Sequence, residues 1–275
     1  MGADSGGGPV RGADLVYLAR MADGSLSCDG CELPVSGADR GDPFAVGLAC
    51  GDGIARAYVG YLRTTLGASW LTQIDLTRPN LSDDGAVQHT VLSAESRVLY
   101  GQVRGMAYDA PRKRLYLTRT VNSAEAALSW VDLAGDCRID KIGEAGGCRT
   151  GTTRFGAVPE GIELREIALS TAAVSGAPRR AYLTARIYDP DAARAAGVRI
   201  GDHDGLLLVV ALSEDLAGRL DSRIVDEIPI GYGASGVRVL PPRAGKRDVV
   251  VALAADDGVL WIYDDETGAR VAIGR

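Results

Sequence analysis

Charged side chains within short apolar segments are the residues of this chain that could do chemistry. Five of them are candidate ligand-binding residues: Arg104, Glu160, Glu163, Arg165 and Arg238. Carboxylates beside guanidinium groups can bind a charged ligand or transfer a proton, and the same residues can instead form a solvated strand surface. No catalytic residue is assigned, because the two histidines and the absence of a G-x-S-x-G motif give little support to a Ser-His or Cys-His mechanism.

Metal binding is considered for one loop. The histidines His89 and His203 lie far apart in sequence, and His203 stands in a loop rich in Gly and Asp. The candidate ligands of this loop are Asp189, Asp191, Asp202 and Asp204. Clustered carboxylates can bind calcium, but their spacing matches no EF-hand loop, and aspartates that form turns explain the same residues. We therefore predict no cofactor and keep calcium as the alternative.

The five cysteines indicate disulfides. Cys137 and Cys148 bracket the Gly-rich segment CRIDKIGEAGGC, which is a typical spacing for a bridge that closes a loop. Cys50 is predicted to pair with Cys28 or Cys31 of a CDGC motif. A zinc site would lack a fourth ligand, and a redox-active CxxC would need a helix N-terminus to lower the thiol pKa. Disulfides predict an extracytoplasmic location, in the periplasm or at the cell surface.

Charge and hydropathy exclude some partners. The net charge of −6 argues against nucleic acid or an anionic membrane as partner. No apolar run approaches 18 residues, so no transmembrane segment is predicted. Residues 1–13 lack the layout of a signal peptide and are predicted to be a flexible Gly/Ser-rich tether. This tether resembles the segment after the lipidated cysteine of bacterial lipoproteins, which implies a lipid anchor upstream of the given start.

The elements that must position these residues form an internal repeat. Four segments align at a basic residue: RAYVGYL from Arg56, RLYLTRT from Arg114, RAYLTAR from Arg180 and RDVVVAL from Arg247. Their third positions are 58, 66 and 67 residues apart. One apolar run precedes each segment and two follow it, so the unit is four short strands joined by turns. Such units predict the blades of a β-propeller, in which each sheet buries its faces against its neighbours.

The predicted fold is all-β, with one propeller domain over residues 14–275. Its four-stranded antiparallel blades are predicted at about 43–100, 101–159, 160–232 and 233–275. Residues 14–42 are predicted to form an N-terminal half-blade. Four blades and a half-blade without a complement predict an incomplete or open ring.

Two segments resemble the YVTN-type propeller repeat. GMAYDAPRKRLYLTRT (105–120) is similar to its Gly-initiated inner strand, short turn and basic-x-Tyr-aliphatic-Thr strand, and ETGARVAIG (266–274) is similar to its outer strand. The resemblance covers residues 43–275 in four degenerate copies. It departs from the pattern where Asn should follow Tyr-Val-Thr, and at Ala211, where the other copies have Asp. It implies a bacterial propeller protein and no particular activity.

Propellers place ligands at the top of their inner strands, where the five charged candidates are expected. We therefore predict a non-enzymatic binding or scaffold module for a protein, a glycan or a small ligand. The alternative is a propeller enzyme of lactonase or quinoprotein type, since some propeller lactonases use Glu, Arg and His near the central channel. A purely structural part of a larger surface protein is a third option. Convergence of Glu160 or Glu163 with an arginine in a pocket at the channel would favour the enzyme.

Overall fold

The structure is a computed structural model. It describes residues 14–16, 19–20, 26–27, 32–34, 42–51, 54–62, 68–81, 87–100, 102–121, 125–135, 137–153, 161–171, 179–195, 197, 203–214, 220–240 and 246–274. Their fold is all-β, with four antiparallel four-stranded sheets arranged as the blades of a β-propeller. Among these residues, no helix is long and apolar enough to span a membrane.

Four short strands come first in the chain. They are β1 (Asp14–Val16), β2 (Ala19–Arg20), β3 (Leu26–Ser27) and β4 (Glu32–Pro34). β1 pairs antiparallel with β4, and β2 pairs with β3. The segment thus forms two nested two-stranded sheets, where the sequence suggested two strands. The half-blade over 14–42 and the incomplete ring stay predictions.

The four blades follow one another along the chain. Blade 1 contains β5 (Asp42–Gly51), β6 (Ile54–Leu62), β7 (Ala68–Leu81) and β8 (Val87–Tyr100). Blade 2 contains β9 (Gln102–Asp109), β10 (Arg114–Val121), β11 (Glu125–Asp132) and β12 (Thr150–Thr153). Blade 3 contains β13 (Ile162–Leu169), β14 (Arg179–Ile187), β15 (Gly205–Glu214) and β16 (Leu220–Gly231). Blade 4 contains β17 (Ala234–Leu240), β18 (Val249–Ala254), β19 (Val259–Asp264) and β20 (Arg270–Ile273).

Two short helices lie in loops between strands. A 3₁₀ turn, Ile139–Lys141, lies between β11 and β12, and α1 (Pro190–Ala195) lies in the long loop between β14 and β15. In each blade the strands pair in chain order, and β5, β9, β13 and β17 contact one another in sequence. These first strands are therefore the inner strands of the propeller.

The repeated tyrosines Tyr58, Tyr116 and Tyr182 lie in the second strands and are fully buried. Each packs with side chains of the following blade: Tyr58 with Leu115, Tyr116 with Leu164, and Tyr182 with Val250. The hydrophobic core of the propeller therefore consists of layers between successive sheets. Burial of apolar surface between blades explains why an isolated blade would not be stable.

The predicted register of the repeat is right in three blades and wrong in the fourth. Arg56, Arg114 and Arg180 lie in the second strands, but Arg247 precedes β18, which begins at Val249. The residue between them, Asp248, is buried, and its backbone carbonyl accepts a hydrogen bond from Asp265 outside the sheet ladder. Strand pairing therefore starts two residues later than the basic residue suggests.

Candidate functional site

The candidate site is a cavity of about 390 Å³ lined mainly by residues of three inner strands. Its lining residues are Arg104 of β9, Arg165 and Glu166 of β13, Ser235, Gly236 and Arg238 of β17, and Leu253 of β18. Three consecutive blades thus contribute to one cavity. Its charged groups are three guanidinium groups and one carboxylate, with a second carboxylate, Glu163, bonded to two of the arginines.

A β-bulge marks the cavity in each of these inner strands. In β9, Arg104 has no partner in the pairing with β10, which passes from Gly105 to Val103. In β13, Arg165 and Glu166 together lie opposite Thr184. In β17, two residues likewise lie opposite Leu253. A bulge turns side chains away from strict alternation, so these strands direct neighbouring side chains toward the same cavity.

Threonine hydroxyls of one blade hydrogen-bond to the bulged backbone of the inner strand in the next blade. The hydroxyl of Thr118 donates to the carbonyl of Arg165, and that of Thr184 donates to the carbonyl of Ser235 at 2.9 Å. Thr118 and Thr184 occupy the same position in their repeats, two residues after the buried tyrosine. The Thr184 hydroxyl also accepts a 3.1 Å hydrogen bond from the backbone N–H of Glu166. The repeat therefore supplies both the tyrosines that pack in the core and the threonines that hold the backbone of the site.

Gly105 permits the close approach of β9 to β13. A Cβ atom at this position would lie 2.6 Å from the carbonyl oxygen of Arg165 and 2.8 Å from the Cα of Glu166. Both contacts are with backbone, which cannot move aside as the end of a side chain can. A glycine at this position thus brings Arg104 within reach of β13.

Arg104 and Arg165 share one carboxylate. Arg104 forms a salt bridge with Glu163, and Nη2 of Arg165 lies 2.7 Å from the other oxygen of the same group. The side chains of Arg104 and Glu163 are largely buried. Burial lowers the pKa of Arg104, and the nearby charge of Arg165 lowers it further. The adjacent Glu163 carboxylate acts in the opposite direction. Glu163 therefore acts as the counter-charge that holds two arginines at the cavity.

Glu166 and Arg238 form a looser pair across the cavity. Nη1 of Arg238 lies 3.6 Å from Oε2 of Glu166 and donates a 2.7 Å hydrogen bond to the carbonyl of Val237. The Arg238 side chain is 76% exposed. Burial raises the pKa of the Glu166 carboxyl above its usual range, and the nearby Arg238 partly offsets this rise. Glu166 thus holds its proton more tightly than an ordinary glutamate does.

The structure brings together four of the five predicted site residues: Arg104, Glu163, Arg165 and Arg238. Glu160 lies outside the described residues. The cavity lining also contains four residues that were not predicted from the sequence: Glu166, Ser235, Gly236 and Leu253. The Tyr-x-Thr pattern of the preceding blade is the signal that could have located the bulges, because its threonines bind them.

The loop considered for calcium uses the carboxylates that the structure describes in local contacts. Oδ1 of Asp189 accepts hydrogen bonds from the backbone at the start of α1, and Asp191 pairs with Arg194 at 2.9 Å. Asp204 pairs with Arg186 at 2.7 Å and accepts a 2.8 Å bond from the N–H of Gly233. Asp202 lies outside the described residues. Within the part of the chain that the structure describes, no group of three or more potential metal ligands occurs.

The remaining predicted residues lie apart from the cavity lining. His203 is exposed and packs edge-to-face against Tyr232, with ring centroids 4.8 Å apart. His89 falls on β8, and its side chain lies outside the described residues, as do Cys28 and Cys31. Cys137 and Cys148 form the predicted disulfide. The pairing of Cys50 with Cys28 or Cys31 stays a prediction.

Comparison with known proteins gives matches among solved structures, of which two are described. No family model matches the chain, and no curated protein matches it. A putative 6-phosphogluconolactonase from Bacteroides uniformis ATCC 8492 is 16% identical over 96% of this chain and 78% of that chain, with a TM-score of 0.46. A second putative 6-phosphogluconolactonase, from Bacteroides fragilis NCTC 9343, is 14% identical over 88% and 86% of the two chains, with a TM-score of 0.34. Similarity at this level does not assign an activity to this chain.

Proposed function

We propose that this protein is a β-propeller binding module whose inner-strand cavity takes a small anionic ligand. One observation carries the proposal: Arg104, Arg165 and Arg238 converge from three blades on one cavity, with Glu163 and Glu166 as the carboxylates beside them. Three cations against two carboxylates leave an excess positive charge, even though the whole chain is acidic. A local excess of this sign attracts an anion.

Arg238 is the arginine best placed to contact the ligand. Glu163 occupies both Arg104 and Arg165, whereas Arg238 is largely exposed and lies 3.6 Å from its carboxylate. Its planar guanidinium group suits a carboxylate or phosphate. Arg104 and Arg165 would then supply fixed positive potential, and Arg238 the direct hydrogen bonds.

The test is an NMR titration of the whole chain with acetate and with inorganic phosphate at constant ionic strength. We expect saturable shifts that include residues 235–238, and Arg238→Gln should weaken binding about tenfold or more, since bonds to charged groups contribute roughly 1.5–3 kcal/mol. Arg223→Gln, which removes an exposed arginine of β16, is the matched control. Equal affinities of wild type and Arg238→Gln, or shifts spread over the surface, would contradict the proposal.

A second candidate is a hydrolase of the lactonase type. Glu163 meets the criterion of a carboxylate that contacts an arginine at the channel, but each of its two oxygens is already engaged by an arginine. The observation that favours an enzyme is Glu166, a carboxyl of raised pKa at the cavity beside Arg238. It could accept a proton from water as the water oxygen attacks an ester carbonyl, while Arg238 stabilises the oxyanion. Glu166 would return this proton to the leaving alkoxide as the ester C–O bond breaks, which opens the ring and releases a hydroxy acid.

A pH-stat assay with δ-valerolactone tests this second candidate. Hydrolysis above the buffer rate that Glu166→Gln abolishes and Arg238→Gln reduces would support the enzyme. A rate equal to that of buffer would leave the binding module as the function.

We also propose an extracytoplasmic location, supported by the Cys137–Cys148 bridge. Protein or glycan partners and an upstream lipid anchor remain part of the proposal. Fractionation of the cells that produce the protein, with thiol labelling before and after reduction, tests the location. Free thiols at Cys137 and Cys148 in freshly isolated protein would contradict it.

A further inference from the structure

One sheet face of blade 4 is aliphatic and exposed. Residues directly opposite in an antiparallel pair share a face, as do residues two apart along a strand. The register of β18, β19 and β20 therefore places six aliphatic side chains on one face: Val251, Leu253, Leu260, Ile262, Val271 and Ile273. We call this set the aliphatic face. The opposite face, with Val250 and Tyr263, packs against blade 3.

Three side chains of the aliphatic face are exposed. Leu260 is 43% exposed, Val271 58% and Ile273 54%. The corresponding face of blade 3, which carries Tyr182, is buried under blade 4. A contiguous apolar patch that remains in water marks a binding surface more often than isolated exposed apolar residues do.

The aliphatic face is continuous with the cavity. Arg238 lies directly opposite Val251, so its side chain projects on the same side of the sheet. Leu253 lines the cavity together with Arg238. From Leu253, a row of directly opposite residues continues through Leu260 to Ile273. Two strand spacings of about 4.8 Å give this row a length of about 10 Å. An exposed cation thus lies at one end of an apolar strip.

We infer that the ligand of this site is an amphiphile, a medium-chain fatty carboxylate. Its carboxylate would bind Arg238 in the cavity, and its alkyl chain would lie across Leu253, Leu260 and Ile273. Charge complementarity at one end and apolar contact along the rest select this chemistry over an inorganic anion or a sugar. The inference rests on the proposed anion-binding function and adds the nature of the rest of the ligand.

Calorimetric titration of the whole chain with acetate, butyrate, hexanoate and octanoate tests the inference. Complete burial of a methylene strengthens binding about fourfold, so contact on one side should give about twofold per methylene. Octanoate, with six more methylenes than acetate, should then bind about 60-fold more tightly. Octanol should bind far more weakly than octanoate, because it lacks the charge that Arg238 recognises.

Three variants separate the head group from the tail. Leu260→Ser and Ile273→Ser should each reduce the gain with chain length and leave acetate affinity unchanged. Arg238→Gln should weaken all four carboxylates by a similar factor. Leu48→Ser, which alters a 59% exposed leucine of β5 outside the cavity lining, is the matched control and should change nothing. Thermal unfolding of each variant checks that it is folded.

Equal affinities of acetate and octanoate would overturn the inference and leave the proposed function intact. If neither binds, both the inference and the proposed function fail. Light scattering after size-exclusion chromatography addresses a different occupant of the aliphatic face. A wild-type dimer that Ile273→Ser converts to a monomer would show that a second copy covers this face, and would also overturn the inference.

Discussion

The hydroxyl group of Tyr182 donates a 2.9 Å hydrogen bond to Oδ2 of Asp248, and this bond crosses from blade 3 to blade 4. Asp248 is buried, and its other oxygen accepts bonds from the backbone N–H and the hydroxyl of Thr171, at 3.3 and 3.4 Å. Burial, together with the carboxylates of Asp265 and Asp248, raises the pKa of Tyr182, so the phenol remains a donor. The repeated tyrosine therefore joins two blades both by packing and by a bond to a charge.

Tyr182→Phe should lower the free energy of unfolding by roughly 1.5–3 kcal/mol, because a buried carboxylate loses a donor. Tyr58→Phe is the matched control, since the Tyr58 hydroxyl donates a 3.3 Å bond to the neutral Gln73 within its own blade. Its loss should be about 1 kcal/mol. Urea denaturation measures both, and equal losses would contradict a special role for the bond between blades.

Arg179 of blade 3 forms a salt bridge with the fully buried Asp109 of blade 2, to which Arg112 also binds at 3.2 Å. Arg179→Ala should cost about 2 kcal/mol, less than the loss of an isolated buried pair because Arg112 remains. Lys141→Ala removes an exposed pair with Glu144 and should change stability by less than about 0.5 kcal/mol. Urea denaturation of both variants checks this order, and the reverse order would show that Arg112 alone satisfies Asp109.

The Cys137–Cys148 disulfide closes a loop whose Ile139 is buried in the core between blades 1 and 2. Replacement of both cysteines by alanine should lower the free energy of unfolding by about 3 kcal/mol, the loop entropy expected for this separation. Adding a reductant to the wild type should shift the urea midpoint in the same direction. An unchanged midpoint in both experiments would contradict the stabilising role. A remaining effect of reductant on the double variant would report a second bridge.

The blades could be predicted from the sequence because one pattern serves every interface between them. Tyr58, Tyr116 and Tyr182 stand at the same place in strands of the same alternation, so their common burial follows from the repeat. In blade 4 the sequence alignment puts Val249 at this position. Because the alignment starts from Arg247, it places the start of the strand two residues too early. In that blade the buried Asp248 determines where strand pairing begins, and its role depends on the distant Tyr182 and Thr171.

The cavity could be predicted only in part. Alternation assigns neighbouring residues to opposite faces, so Arg165 and Glu166 are not expected to line one cavity. The bulge places both opposite Thr184 and brings both to the cavity. Leu253 was missed because it is apolar and lies on a second strand. Such contacts depend on the three-dimensional arrangement of the sheets.

Gly105→Ala should destabilise the protein by about 1–3 kcal/mol, because its Cβ would lie 2.6 Å from a backbone oxygen of β13. Gly236→Ala is the matched control in the inner strand of blade 4. Its Cβ would meet only the Cβ of Leu253, at an ordinary 3.8 Å, so stability should change by less than about 0.5 kcal/mol. Thermal unfolding distinguishes the two, and equal effects would show that β9 can move away from β13 at little cost.

Binding of an anion should depend on pH through Glu166. Because the pKa of Glu166 is raised, the folded protein holds this proton more tightly than the unfolded chain does. Protonation of Glu166 therefore stabilises the fold at low pH, and this contribution is lost as pH rises through the raised pKa. Ionised Glu166 competes for Arg238, and neutral Glu166 does not. The other charged groups that line the cavity are Arg104, Arg165 and Arg238, and Glu163 lies beside them.

Octanesulfonate is the suitable probe, because its sulfonate group stays ionised throughout the pH range in which a carboxyl group titrates. Its affinity for the wild type should rise about fivefold as pH falls through the pKa of Glu166, the value of one partly exposed ion pair. Glu166→Gln should bind at the low-pH level throughout, since a neutral amide cannot compete for the guanidinium group. Arg238→Gln should bind weakly at every pH. If Glu166 controls access to Arg238, the pH dependence of affinity should disappear in Glu166→Gln. A pH profile for this variant as steep as that of the wild type would therefore assign the titration to another group.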